Sequence, residues 1–358
     1  MRGVAVALGL VLGCAPARPL AYEQNLAAGD RAFSSGRYRE AARFYEAAGA
    51  ATARARDRDQ GAFLAAMALV RAGDRDAAIA RLDALGARSP TWEHGPRAAY
   101  EAATLRAESD DPALRDEGFR RLDALVRSDP RTGPARRAVS LIAHRLDSED
   151  PSFARTLAWL TTLRALDAVR GCWMYETVEA MRAVRLTRRG ALAEAEAVWR
   201  ALLAAVPYPQ NSHWDDGHLA LARLERQRGD ARAAVATLDR MLAPHEEAYS
   251  SGSYEAPRFA DGAMLRAEIY RDDLRDPEAA AAAFHRVYAE FRRSLLRDNA
   301  LAEEARVREG ARDPRACEVW QRLVEEFPCG HPARQAREGL GRCGRTAAPR
   351  DDAACRAR

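Results

Sequence analysis

Glycine recurs in this chain in a fixed setting, and that setting limits what can fold. Gly36, Gly73, Gly190 and Gly229 are separated by 37, 117 and 39 residues, and 117 is three times 39. Seven residues before each stands a small residue: Gly29, Ala66, Ala183 and Ala222. Five after each stands Ala41, Ala78, Ala195 or Ala234. Nine after come Tyr45, Leu82, Trp199 and Leu238, and twelve after come Ala48, Leu85, Leu202 and Met241. Two units add a proline seventeen residues on, Pro90 and Pro207. Physically this is a pair of antiparallel helices per unit. The glycine takes the interhelical turn, where positive φ is tolerated. The small residue and the alanine let the two helices approach, the large residue fills the gap to the next unit, and the proline ends the second helix.

At these residues the pattern resembles the tetratricopeptide repeat, most clearly from Gly29 through Ala48 with Gly36-Arg37-Tyr38 at the turn. The spacings are longer than that family's usual ones, as in its bacterial envelope versions. Weaker units fit residues 98–130, 136–166, 259–291 and 298–328, and a last helix runs from about Pro332 to Arg342. The expectation is about eight helical hairpins over roughly residues 22–330. The resemblance implies an all-α, right-handed superhelical solenoid whose first helices line a concave side. The loop segments Tyr208–His218 and Tyr249–Arg258 interrupt the array, the second as a bend or a division into two sub-arrays.

The N-terminus carries an address. Met1-Arg2 precedes an uncharged run from Val4 to Gly13, too short for the ~30 Å hydrocarbon core of a bilayer. Val11-Leu12-Gly13-Cys14 resembles the bacterial lipoprotein lipobox. That resemblance implies cleavage before Cys14, acylation of Cys14, and anchoring of the mature chain by lipid in the cell envelope. Ala15, rather than Asp, stands beside Cys14, which in enteric bacteria favours the outer membrane, facing the periplasm. The organisation expected is a signal peptide (1–13), a lipidated tether (14–21), a helical solenoid (22–343) and a disordered tail (344–358).

Charge narrows the classes of partner. Lys+Arg 56 against Asp+Glu 52 gives a net charge of +4, too balanced for a nucleic-acid binder. The chain has no Lys, so every fixed side-chain cation is a guanidinium. Ile occurs only at positions 79, 142 and 269, which disfavours an all-β fold.

The six cysteines contain no CxxC pair, so no zinc site is expected. Cys317 and Cys329 lie twelve residues apart on one expected helix, about 18 Å at 1.5 Å per residue, beyond the ~7 Å reach of a disulfide. Cys317 starts that helix and Cys343 ends the next, antiparallel one, so these two can meet; Cys329 and Cys355 could pair through the tail. His213-Trp214-Asp215-Asp216-Gly217-His218 is the densest polar cluster. It reads as an inter-repeat loop whose Asp caps a helix beginning near His218, or as a metal site at His213, Asp215 and His218. His245-Glu246-Glu247 is a lesser loop cluster. The tryptophans at 92, 159, 173, 199, 214 and 320 read as fillers between repeats.

No nucleophile elbow, phosphate-cradling loop or HExxH occurs, so no catalytic residue, cofactor or resident metal is expected. The repeat resemblance instead implies a scaffold that binds a protein or peptide on its concave face. Inward-facing first-helix residues would be Leu26, Asp30 and Phe33, then Phe63, Met67 and Val70, then Leu219, Arg223 and Arg226. Leu26 and Asp30 stand where cytosolic relatives carry the clamp for chaperone tails, so that partner is not expected. Envelope relatives of this class suggest outer-membrane assembly, export or cell-wall coordination. The alternative is a periplasmic glycan- or peptidoglycan-binding module, which needs aromatic side chains in the groove.

Overall fold

The computed structural model describes residues 18–88, 94–243 and 258–346. The signal peptide, Cys14, Pro90, Trp92, the 245–247 cluster and Cys355 lie outside the described residues, as do most of the tether, the tail and the second interrupting loop. Every regular element described is an α-helix. In chain order the helix pairs are α1 (Leu20–Ser34) with α2 (Tyr38–Ala50), α3 (Ala55–Arg71) with α4 (Arg75–Arg88), α5 (His94–Ala107) with α6 (Pro112–Ser128), and α7 (Gly133–Glu149) with α8 (Ala154–Arg164). A four-residue helix, α9 (Asp167–Arg170), comes next. Then come α10 (Met174–Arg189) with α11 (Leu192–Ala205), α12 (Trp214–Gln227) with α13 (Ala231–Leu242), α14 (Arg258–Asp272) with α15 (Pro277–Glu290), and α16 (Arg297–Gly310) with α17 (Ala316–Glu326). A single helix, α18 (Ala333–Arg342), closes the array. Eight pairs and a last helix are what the repeat pattern leads one to expect.

The helices divide into two compact units. One runs from the first described residue to Thr156 and takes in Ala165–Met174; the other is Leu157–Arg164 with Tyr175 onward. A division at 249–258 is therefore corrected. Residues on both sides of that segment share one core: Leu219, Leu238 and Met241 with Phe259, Ala263 and Ile269. The Met241 side chain lies against Gly262, where a Cβ would stand 2.9 Å from its sulfur.

The turn glycines do what their position requires. Gly36, Gly73, Gly190 and Gly229 have φ of 74°, 79°, 84° and 83°. The next residue's N–H reaches back to the preceding helix: Arg37 to the Ala32 carbonyl (2.9 Å), Asp74 to Leu69 (3.0 Å), Ala191 to Leu186 (2.9 Å) and Asp230 to Glu225 (2.9 Å). These are helix C-caps closed by a left-handed residue. Three other turns place Phe153, Arg275 and Arg312 at φ of 60°, 53° and 59°, without a glycine. Helix starts are capped where the sequence offers Asp or Thr. Asp111 accepts from Ala113 N–H (2.8 Å), Asp230 from Ala233 (3.0 Å) and Asp276 from Ala279 (2.9 Å). Pro112 and Pro277 hold the first helical turn behind two of these caps.

Small residues set the helix spacing. A Cβ on Gly61 would meet Tyr45 O at 2.7 Å and Gly49 N at 2.8 Å, so α2 and α3 pack backbone to backbone there. Trp199 lies over Gly217 and Trp320 over Gly339, each filling the gap to the following helix. Tyr45 departs from that rule. Its ring closes back on Gly29 of its own hairpin, and its hydroxyl donates to Asp30 (2.8 Å). Trp159, Trp173 and Trp214 are half-buried, so they fill gaps only in part.

Guanidinium–carboxylate pairs link successive hairpins. Arg39 meets Asp74 with two bonds of 2.8 Å, Arg81 meets Glu46 (2.6 Å), Arg121 meets Asp83 (3.3 Å) and Arg145 meets Asp116 (2.7 Å). Arg342 grips Glu309 with bonds of 2.6 and 2.9 Å. Hydrogen bonding from Arg39 holds the Asp74 carboxyl below the usual range, and Arg342 does the same to Glu309. Exposed pairs of this kind typically contribute ~1 kcal/mol or less, so they register the stack rather than hold it.

Candidate protein-binding face

Within each unit the pairs of like order that approach most closely are first helices: α3 with α5, α5 with α7, and α12 with α14. The stack is tighter on that side, which is therefore the inner one. In the N-terminal unit this face is built from α1, α3, α5 and α7.

Its floor is apolar. Leu26 and Phe33 on α1 and Met67 and Val70 on α3 are half-buried and rest on the core below. Phe33 meets Tyr38 edge-on at 5.2 Å. Phe63 is 3% exposed, so it belongs to the core and not to the groove surface, which corrects its placement from sequence. It is covered on this face by Arg97, whose guanidinium lies 4.5 Å over the ring, and it stacks on His94 at 5.5 Å. Arg137 on α7 repeats the arrangement over Tyr100 on α5, at 4.6 Å. Such cation–π contacts hold the two arginines flat against the surface with their N–H edges available. Between them Glu101 is half-buried; desolvation pushes its carboxyl up, while Arg137 and Arg97 pull it down by a smaller amount. The buried Oγ1 of Thr104, one turn along α5 from Tyr100, has no hydrogen-bond partner among the described residues. Asp30 is exposed and taken up by the Tyr45 hydroxyl.

On α12 of the C-terminal unit the expected groove residues fall differently. Leu219 is 2% exposed and lies in the core, a second correction. Arg223 is exposed. Arg226 is held by Glu268 (3.6 Å), Asp272 (3.3 Å) and Asp273 (2.8 Å) at the end of α14. Of the groove residues expected from sequence, Leu26, Phe33, Met67 and Val70 form an apolar set in the first unit, whereas in the second Leu219 is buried, Arg226 is ion-paired and Arg223 is exposed.

The 213–218 cluster builds the start of α12, and Cys317 and Cys343 staple the C-terminal helices. Helix α12 begins at Trp214, not near His218, so Asp215 and Asp216 lie inside its first turn. Asn211 lies in the turn before the helix, its side chain accepting from the N–H of the N-cap residue His213 (2.9 Å). His218 is buried, with Nδ1 2.8 Å from the Trp214 carbonyl and its ring 4.1 Å from the Trp214 ring; burial pushes its pKa down. Among the described residues no three His, Cys, Asp or Glu side chains gather to hold a metal ion. Cys317 and Cys343 are joined in a disulfide with Cα atoms 6.0 Å apart. Cys329 is also disulfide-bonded, and the partner suggested for it, Cys355, is outside the described residues. Among those residues no helix is long and apolar enough to cross a membrane.

Arg97, Tyr100, Glu101 and Arg137 are the face residues that the sequence pattern missed. The hairpins that carry them lack the turn glycine that sets the register. A signal was present: Tyr100 stands three residues before Ala103, as Phe63 stands three before Ala66.

No family model matches the chain, and no curated protein matches it. Among solved structures, a tetratricopeptide repeat protein from Parabacteroides merdae is 14% identical, with 80% of this chain and 99% of that one covered at a TM-score of 0.35. The pilF protein of Pseudomonas aeruginosa is 16% identical, with 70% and 100% covered at a TM-score of 0.39. The fold is read from the hairpins themselves: an all-α, tetratricopeptide-like array.

Proposed function

We propose that this chain is a lipid-anchored scaffold of the bacterial cell envelope that binds a protein or peptide segment along the first-helix face of its N-terminal unit. One observation carries the reading. Across α1, α3, α5 and α7 a half-buried apolar floor is flanked by guanidiniums laid flat on aromatic rings, with the half-buried Glu101 between them. A segment with apolar anchors and acidic neighbours suits such a surface. The lipobox-like Val11-Leu12-Gly13-Cys14 supports the anchor, and outer-membrane assembly, export or cell-wall coordination are the processes such a scaffold would serve.

Two measurements test it. A photo-crosslinking side chain at Tyr100 is expected to capture a discrete partner in membranes, whereas one at exposed Arg43 on α2 is not. Equal capture at both positions, or none at Tyr100, removes the binding face. Palmitate is expected to label the wild-type chain and not Cys14→Ala; equal labelling removes the anchor.

A further inference from the structure

A cavity of about 430 Å³ opens in the C-terminal unit where the turn after α14 meets α16. It is separate from the first-helix face of the N-terminal unit and shares no residue with it. Its size falls at the small end of the ~300–1,000 Å³ typical of small-molecule clefts. Val307 and Pro277 supply apolar floor, and Arg271, Arg275, Arg306 and Glu303 form the polar rim.

The rim already holds one carboxylate, the chain's own. Glu303 accepts from Arg271 through one oxygen and from Arg306 through the other. Arg271 is further occupied by Asp272, and Arg306 by Gln335 on α18. Arg275 is different. Among the described residues its side chain makes no hydrogen bond or ion pair, and it is exposed at the cavity mouth. Three guanidiniums against Glu303 leave the lining cationic.

The backbone at Arg275 points the same way. It sits at φ 53°, in the left-handed region that the turns at Gly36, Gly73, Gly190 and Gly229 give to glycine. A side chain there costs about 1 kcal/mol that glycine would avoid. The fold tolerates that cost at a place where the side chain gives the structure no polar contact in return.

We propose that this cavity binds a small amphipathic monoanion, a carboxylate on an apolar body, with the carboxylate taken by Arg275 at the mouth and the body laid on Val307 and Pro277. The occupant's charge follows from the surplus guanidinium and its apolar part from the floor. Guanidinium is the group that pairs with carboxylate through two parallel N–H bonds.

Titration calorimetry on the full chain tests this, with phenylacetate as probe and phenylacetamide and inorganic phosphate as controls. Phenylacetate is expected to bind, and neither control to bind comparably. Arg275→Gly removes the cation and relieves the left-handed strain together, so it should weaken phenylacetate by about tenfold or more with no loss of thermal stability. Arg312→Gly makes the same backbone change at φ 59°, at a residue that follows Ala311 but does not itself line the cavity, and should bind as the wild type does. The proposal is overturned by absent binding to the wild type, by equal binding of phenylacetamide or phosphate, by unchanged affinity in Arg275→Gly, or by an equal loss in Arg312→Gly.

Discussion

Gly118→Val is expected to part helices α5 and α6 and lower the stability of the N-terminal unit by about 3 kcal/mol or more, at or beyond the upper end for an overpacked core. A Cβ at Gly118 would stand 2.3 Å from Ala107 N, 2.6 Å from Ala103 O and 2.8 Å from Ala107 Cα. All three are backbone atoms of α5, so no side-chain rotation relieves the clash; the helices themselves must move. Each hairpin is stabilised chiefly by its neighbours, so the loss spreads to the α4–α5 and α6–α7 contacts. Urea unfolding followed by helical circular dichroism checks it. Gly133→Ala is the matched control, because nothing lies within 4 Å of its added Cβ, and it should stay within about 0.5 kcal/mol of wild type. A wild-type midpoint for Gly118→Val would refute the close packing of α5 on α6.

The second large effect lies at the other end. Helix α18 covers the array with Ala333, Ala336, Gly339 and Leu340, packed on Trp320 and Leu323 of α17. Its outer side presents Arg334, Glu338 and Arg342 to water. Ten residues of helix are too few to be stable alone, so the cap depends on that contact and on the Cys317–Cys343 bond. Closing a loop of sequence separation 26 stabilises by about 3 kcal/mol in the chain-entropy account. Cys317→Ser with Cys343→Ser should therefore release α18 and speed amide exchange in α17 and α18, leaving α1–α4 unchanged. Unaltered protection of α18 would show that packing alone retains it.

The parts of the fold that the sequence revealed are those where one residue type has few substitutes. Glycine is strongly favoured in a left-handed turn, so four hairpins stood out at once. Phe153, Arg275 and Arg312 occupy the same backbone region elsewhere, and the hairpins they close looked weak for that reason alone. The Cys317–Cys343 bond was legible because helix length and direction permit few pairings. Burial along the first helices was not. Phe63 and Leu219 share their register with side chains that reach the surface, and only the tightness of the neighbouring helix decides which are covered. Polar burial was harder still. Glu225 stands four residues before its turn glycine, where Leu69 and Leu186 stand before theirs, yet it is 3% exposed. Arg200 (2.8 Å) and Thr237 (2.7 Å) satisfy it, partners that no hydrophobic pattern announces.

The links between hairpins also give the molecule an asymmetric response to its medium. Ammonium groups begin to shed their protons near pH ~10, but guanidinium keeps its own past pH ~12. In strong base these links therefore retain every positive member and fail only when something else does. In acid the order reverses. Asp74 and Glu309 hold on to their negative charge longer than an isolated carboxylate would, and once they are protonated the bonds from Arg39 and Arg342 lose their charged acceptors. The stack is thus built to come unbuttoned from one side of the pH scale alone.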